Sequence, residues 1–212
     1  MIKTLPAFIA IFFCALLLSN PTAFASNKTP TNILVLGDSL SSAYGINKDE
    51  GWVALLQQKL SREKYKYRVI NASVSGDTTR TGLSRIETAL RSHKPRIVII
   101  ALGGNDGLRG LAFSEIENSL ASIIEHCQQH NAKVLLVGVR LPTNYGPVYT
   151  QQFAALFENL ATRYNIPLAP KMLNQVAENR ALMQQDGVHP KAEAQQTILS
   201  NIWPTLEPLL SR

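Results

Sequence analysis

The stretch Ile97-Val98-Ile99-Ile100-Ala101-Leu102 contains no polar residue. A strand with one wet face alternates apolar and polar side chains, so an unbroken apolar run fits a strand covered on both faces. Ile33-Leu34-Val35-Leu36 reads the same way, and further strands are expected near 67–72, 133–139 and 167–169. Between them lie segments with apolar residues at helical spacing: 52–60, 78–91, 114–130, 149–164, 171–183 and 192–209. Pro95 stops the second of these, and Pro204 should kink or interrupt the last. Strands alternating with helices imply a parallel sheet with helices on both faces. The expected architecture is three-layer α/β/α, flavodoxin-like, with five parallel strands in the order 2-1-3-4-5.

That order has a consequence for chemistry. Right-handed crossovers put every strand's C-terminal end on one edge, and strand 1 lies between strands 2 and 3. The turn after strand 1, Gly37-Asp38-Ser39-Leu40-Ser41, is then flanked by the Gly76 loop and the Asn105 loop. An open α/β sheet places its site at such an edge.

The N-terminus follows different rules. Lys3 precedes an apolar run from Ala7 to Leu18, followed by Asn20-Pro21 and Ala23-Phe24-Ala25. This is the pattern of a cleaved export signal ending in an A-x-A site. The run is short for a membrane span. Residues 1–25 are therefore expected to be a signal peptide and residues 26–212 one domain, exported to a periplasmic or extracellular space. Cleavage would lower the formal charge from +6 to +5 and remove Cys14, leaving Cys127 as a single thiol with no disulfide partner. Cys127 falls in an apolar helical pattern and reads as a small core residue. The basic excess is spread over the chain without nucleic-acid motifs, so no nucleic-acid partner is expected. A solvated surface accounts for it, with contact to an anionic lipid surface as the alternative.

A serine is a poor nucleophile unless a base and an orienting acceptor stand beside it. Of the four histidines, only His189 falls in a loop on the expected catalytic edge. Asp186, three residues earlier, lets one tight turn supply both base and orienter. Asp38, Asp77 and Asp106 sit in turns where carboxylates bond backbone amides, and read as structural. His126 and His130 are four apart on one helix, a spacing that suits a metal, but no third ligand is evident and a solvated helix face explains them. Acyl transfer also needs hydrogen-bond donors for the developing oxyanion. The backbone N–H groups of Ser39 and Gly76 and the side-chain amide of Asn105 are the candidates. Leu108, Leu111, Leu141, Pro142 and Tyr145, in the loops after strands 3 and 4, are candidate walls of an acyl pocket.

Four blocks of this chain together resemble the SGNH (GDSL) hydrolases: GDSLS at 37–41, NASVSGDTT at 71–79, GGNDGLRG at 103–110 and DGVHP at 186–190. The block residues are Ser39, Gly76, Asn105 and His189. RLPTNYG at 140–146 is similar to the bacterial periplasmic thioesterase/protease/lysophospholipase group and its arylesterase relatives. The resemblance implies a serine nucleophile acting on small-molecule acyl esters and thioesters, with no metal or other cofactor, in a chain expected to be a monomer. The absence of a G-x-S-x-G elbow around Ser39 argues against the α/β-hydrolase alternative. Two other readings are a carbohydrate O-acetylesterase with the same catalytic set and a flavodoxin-like phosphate- or flavin-binding module. The second leaves Asp186 and His189 without a role.

Overall fold

The computed structural model describes residues 1–2 and 31–211. The expected signal peptide, Met1 and Ile2 apart, lies outside the described residues. Five strands form one parallel sheet: β1 (Thr31–Gly37), β2 (Tyr67–Asn71), β3 (Ile97–Ala101), β4 (Lys133–Val137) and β5 (Leu168–Ala169). Their order is β2-β1-β3-β4-β5, the one expected from the alternation of elements. The helices are α1 (Trp52–Arg62), α2 (Thr79–His93), α3 (Gly104–Leu108), α4 (Phe113–Gln129), α5 (Pro147–Tyr164) and α6 (Gln195–Leu206).

The sheet explains the unbroken apolar runs. Successive side chains of a strand point to opposite faces. Ile33, Val35, Ile97 and Ile99 pack with Trp52 and Leu56 of α1 and Ile198 and Ile202 of α6. Leu34, Leu36, Val98 and Ile100 pack on the other face with Ile86 of α2, Leu120 and Ile124 of α4 and Phe157 of α5. All these side chains are buried, and each such burial contributes about 1.5–3 kcal/mol relative to exposure. Cys127 belongs to the second core, where burial pushes its thiol up to about 12 and leaves it unreactive.

Helix boundaries follow local chemistry. Thr78 caps α2 by accepting from the Thr81 N–H, and Lys94 closes it in the left-handed region at φ 42°. Pro147 occupies the first turn of α5, where its missing N–H costs nothing. Three elements differ from the sequence-based expectation. The Gly103-Gly104-Asn105-Asp106-Gly107 stretch, expected as a loop, starts the short helix α3.

Residues 171–183, expected as a helix, form successive turns that end in a 3-10 turn at Arg180–Leu182. Gln175 adopts φ 60°, which interrupts helical continuation, and the N–H groups of Asn174, Val176 and Asn179 bond three residues back. Burial of Met172, Leu173 and Val176 in the first core repays this irregular path. The last helical segment opens as a 3-10 turn (Ala192–Ala194) and runs as α6 through Pro204. Three residues past Pro204 it tightens into a second 3-10 turn at Glu207–Leu209.

Candidate active site

β1 delivers Ser39 to the rim. A side chain at Gly37 would meet Ser41 Oγ at 2.7 Å and Ser73 Oγ at 2.9 Å, so the absence of one lets those serines pack against the strand end. The turn is then fixed by Asp38. Its carboxylate accepts from the Leu40 N–H at 3.0 Å, and its carbonyl accepts from the N–H groups of Ser41 and Ser42. Asp38 is 2% exposed. Desolvation pushes its carboxyl up to about 6, against the opposing pull of the Leu40 N–H and the charge of His189.

The loop between Gln184 and Pro190 faces this turn. Asp186 Oδ1 accepts the backbone N–H groups of Val188 (2.9 Å) and His189 (3.0 Å), and Oδ2 lies 2.7 Å from His189 Nδ1. Gly187 takes φ 68°, a left-handed step that curls the loop around that carboxylate. The His189 backbone N–H, then its imidazole and the Val188 N–H, hold the Asp186 carboxyl down to about 2. With Asp186 accepting the Nδ1 proton, Nε2 is the free acceptor, and it stands 2.8 Å from Ser39 Oγ. One relay therefore joins Asp186, His189 and Ser39, over 150 residues of sequence separation.

The loops after β2 and β3 close on the other side of Ser39. Gly76 adopts φ 84°, and a Cβ built there would meet no atom within 4 Å. Conformation, rather than crowding, requires glycine at this position. Among the described residues, neither the Gly76 nor the Ser39 N–H has a hydrogen-bond acceptor. Asn105 Nδ2 donates one hydrogen to the Asp77 carbonyl at 2.8 Å and retains a second. Arg109 ties the two loops together by donating to the Gly76 carbonyl at 3.2 Å.

The rival carboxylates are committed elsewhere. Fully buried Asp106 accepts from the Thr79 N–H and, at 2.6 Å, from its hydroxyl. Asp77 is paired with Arg85. His126 and His130 both contact Glu87, at 3.1 and 3.2 Å. Among the described residues, no group of three or more His, Cys, Asp or Glu side chains is disposed to hold a metal ion. His93 lies at the far edge of the sheet, where its carbonyl accepts from the Asn32 side chain.

A cavity of about 400 Å³ opens beside Ser39, Asn105 and His189. Leu108, Leu141 and Pro142 form part of its wall, as do Val139, Leu173 and Met183, which sequence reasoning passed over. Leu173 and Met183 reach it because residues 171–183 run as turns beneath the site; Pro170 and the Asn174-Gln175 pair were the available signal. Leu111 and Tyr145 lie outside the lining. Leu111 packs against the second core, and its N–H bonds the Asp106 carbonyl at 3.0 Å. Tyr145 stacks on Tyr149 and donates to the Leu108 carbonyl at 2.8 Å, bracing the α3 segment from outside. Across the cavity, Arg140 pairs with Glu178 at 2.6 Å.

The sequence profile of the GDSL-like Lipase/Acylhydrolase family matches residues 35–197, a span that contains all four blocks. The chain belongs to that family. It is 46% identical over 199 residues to Esterase TesA of Pseudomonas aeruginosa, covering 92% of this chain and 99% of the relative. Thioesterase 1/protease 1/lysophospholipase L1 of Escherichia coli is 41% identical over 179 residues, 84% of this chain and 85% of the relative. A crystal structure of TesA superposes with a TM-score of 0.84 at 47% identity, covering 85% of this chain and 100% of that one. An acylhydrolase fold with this relay at its sheet edge is equipped to activate a hydroxyl, collect negative charge on an oxygen and accommodate an apolar group beside both.

Proposed function

We propose that this acylhydrolase cleaves acyl esters and thioesters through an acyl-enzyme on Ser39. The observation that carries the reading is the continuous Asp186–His189–Ser39 relay beside unsatisfied N–H donors and a largely apolar-walled cavity. Ser39 Oγ attacks the acyl carbonyl as its proton passes to His189 Nε2. Asp186 keeps the imidazole in the productive tautomer and stabilises the imidazolium. The carbonyl oxygen gains its charge in front of the Ser39 and Gly76 N–H groups and the Asn105 amide. Loss of one such donor typically costs about 10²–10³ in kcat. The alcohol or thiol leaves with the proton from His189. Water then enters, gives its proton to His189, and releases the acid in a second passage through the same states.

The cavity selects the acyl group. Its volume of about 400 Å³ lies within the range of small-molecule sites and exceeds what an acetyl group fills. Each methylene removed from water contributes about 0.8 kcal/mol, so medium and long acyl chains gain most. The relatives' names, esterase and thioesterase/lysophospholipase, support ester and thioester substrates of this kind. Residues 1–25 complete the proposal as a cleaved export signal, which directs the enzyme toward envelope esters such as lysophospholipids.

The test is hydrolysis of p-nitrophenyl esters from acetyl to palmitoyl by the mature protein, with Ser39→Ala alongside. Serine-dependent turnover peaking at medium or long chains is expected. Activity confined to acetyl would replace this reading with an O-acetylesterase, and turnover that survives Ser39→Ala would overturn the nucleophile.

A further inference from the structure

His189 sits in a short surface loop, yet its ring must meet Ser39 Oγ at a fixed distance. The bonds from Asp186 orient the imidazole within its own loop, but they do not fix that loop relative to the nucleophile. The connection between the two loops comes from residues outside the relay. Tyr44, in the loop after β1, lays its ring against the imidazole of His189, with centroids 4.4 Å apart and planes tilted by 39°. Its own N–H bonds the Ser39 carbonyl at 3.3 Å, so the same short turn carries both nucleophile and stacking ring. Tyr44 is 51% exposed, so part of its ring surface is covered where it meets His189 and part faces solvent.

Gln184 fastens the other side. Its side-chain Nε2 donates to the Tyr44 carbonyl at 2.8 Å and to the Pro190 carbonyl at 3.1 Å. Its backbone N–H donates to the His189 carbonyl at 2.8 Å, and its own carbonyl accepts from Gly187 at 3.0 Å. The amide fits closely under the β1 loop: a Cβ at Gly45, which takes φ 74°, would meet Gln184 Oε1 at 2.3 Å. A chain of hydrogen bonds thus runs from the backbone of Ser39, through Tyr44 and Gln184, to the backbone on both sides of the His189 side chain.

We infer that Tyr44 and Gln184 are positioning residues for His189, holding the base against the nucleophile loop and cradling its imidazolium; this rests on the acyl-enzyme reading above. The ring face of an aromatic attracts a cation, so Tyr44 favours the protonated base that each half-reaction produces. The charged groups around His189 are Asp186 on its own loop, Asp38 beneath the nucleophile, and the Arg140–Glu178 pair across the cavity, whose charges offset each other. Both carboxylates remain in place when Tyr44 is replaced, so a change in the pH profile reports the ring.

The experiment compares Tyr44→Phe, Tyr44→Leu and Gln184→Met with the wild type and Ser39→Ala, measuring kcat and KM on a medium-chain p-nitrophenyl ester across the pH range. Thermal melting of each variant checks that it is folded. Tyr44→Leu should lower kcat about tenfold with KM nearly unchanged, as expected of a misplaced base. It should also move the acid limb of kcat/KM down by about half a pH unit. Tyr44→Phe, which keeps the ring, should stay within about twofold of wild type and retain the limb. Gln184→Met should lower kcat with KM unchanged. A folded Tyr44→Leu with wild-type kcat and acid limb would overturn the inference. So would equal losses in the Phe and Leu variants, which would assign the effect to the hydroxyl. Ser39→Ala separates the two claims: if it retains turnover the acyl-enzyme reading fails, and if it is dead while the Tyr44 and Gln184 variants behave as wild type, only the positioning role fails.

Discussion

The two halves of the site are built differently. The proposed nucleophile and oxyanion donors stand on the segments after β1, β2 and β3, which are pinned by buried carboxylates. Asp38 shapes the Ser39 turn, Asp106 draws in Thr79, and Asp77 holds Arg85 while its carbonyl takes Asn105. The proposed acid–base half is a single surface loop held by its own aspartate, with the Asp186 side chain 41% exposed. The environments drive the two flanking carboxyls in opposite directions, Asp38 up to about 6 and Asp186 down to about 2. The difference matches the proposed roles. Donors that receive charge act best when they need no reorganisation, which a buried, cross-linked platform provides. A base that must stabilise its own protonation needs an ionised partner, which hydrogen bonds in a solvated turn supply.

The sharpest way to break this division is to ask whether the halves act as one unit. Ser39→Ala and His189→Ala should each remove about 10⁴-fold or more of kcat, and the double variant should be barely worse than either. Steady-state kinetics of the three proteins decides it. Additive losses would mean that the base and the nucleophile contribute independently, and the geometry at 2.8 Å would then lack catalytic meaning.

The next effect concerns stability. The Asp38 carboxyl has a folded value of about 6, raised above its ordinary 3.8. Between these values the folded state binds more protons than the unfolded chain, so stability falls as pH rises through that window and the penalty persists above it. The shift corresponds to about 3 kcal/mol as an upper figure. Asp186 has the opposite sign: depressed to about 2, it adds stability above its ordinary 3.8 that is lost as pH falls through the lower value. The two windows do not overlap. Melting temperatures of wild type and Asp38→Asn from pH 4 to 7 should diverge, with the variant gaining on the wild type as pH rises. Parallel curves would show that burial does not burden this carboxylate, and the contrast between the halves would lose its electrostatic basis.

Much of this site can be read along the chain because its platform depends on topology. Once Ile97–Leu102 is a strand covered on both faces, the order 2-1-3-4-5 places the Ser39, Gly76 and Asn105 loops side by side, and Asp186-Gly187-Val188-His189 is the remaining loop with a base. What escapes is set by contacts rather than periodicity. Met172, Leu173 and Val176 have helical spacing, but the left-handed Gln175 and burial in the first core turn the segment into part of the cavity floor. At Gly76 the left-handed φ of 84° demands glycine, a backbone requirement that the residue's neighbours in sequence do not spell out. Nothing local to Tyr44 or Gln184 announces their meeting, because they lie 140 residues apart and touch only after the sheet has formed.

The smallest expected effect tests the cavity wall between the two halves. Leu141 is 3% exposed, lines the cavity and packs tightly on Gly107, where a Cβ would meet its Cδ1 at 2.8 Å. Leu111 is partly buried on the second core and lies outside the lining. Both truncations to alanine remove the same atoms from neighbouring parts of the molecule, but only one enlarges the space beside Ser39. Leu141→Ala should shift the ester preference toward longer chains by a few-fold per substrate step, since one methylene is worth about 0.8 kcal/mol, or about fourfold. Leu111→Ala should lower the melting temperature while leaving the ratio of long- to short-chain kcat/KM unchanged. If both variants shift the profile alike, the α3 segment, whose Leu108 and Gly107 carbonyls accept from the hydroxyls of Tyr145 and Tyr149, transmits the change, and selectivity resides in that segment rather than in the wall.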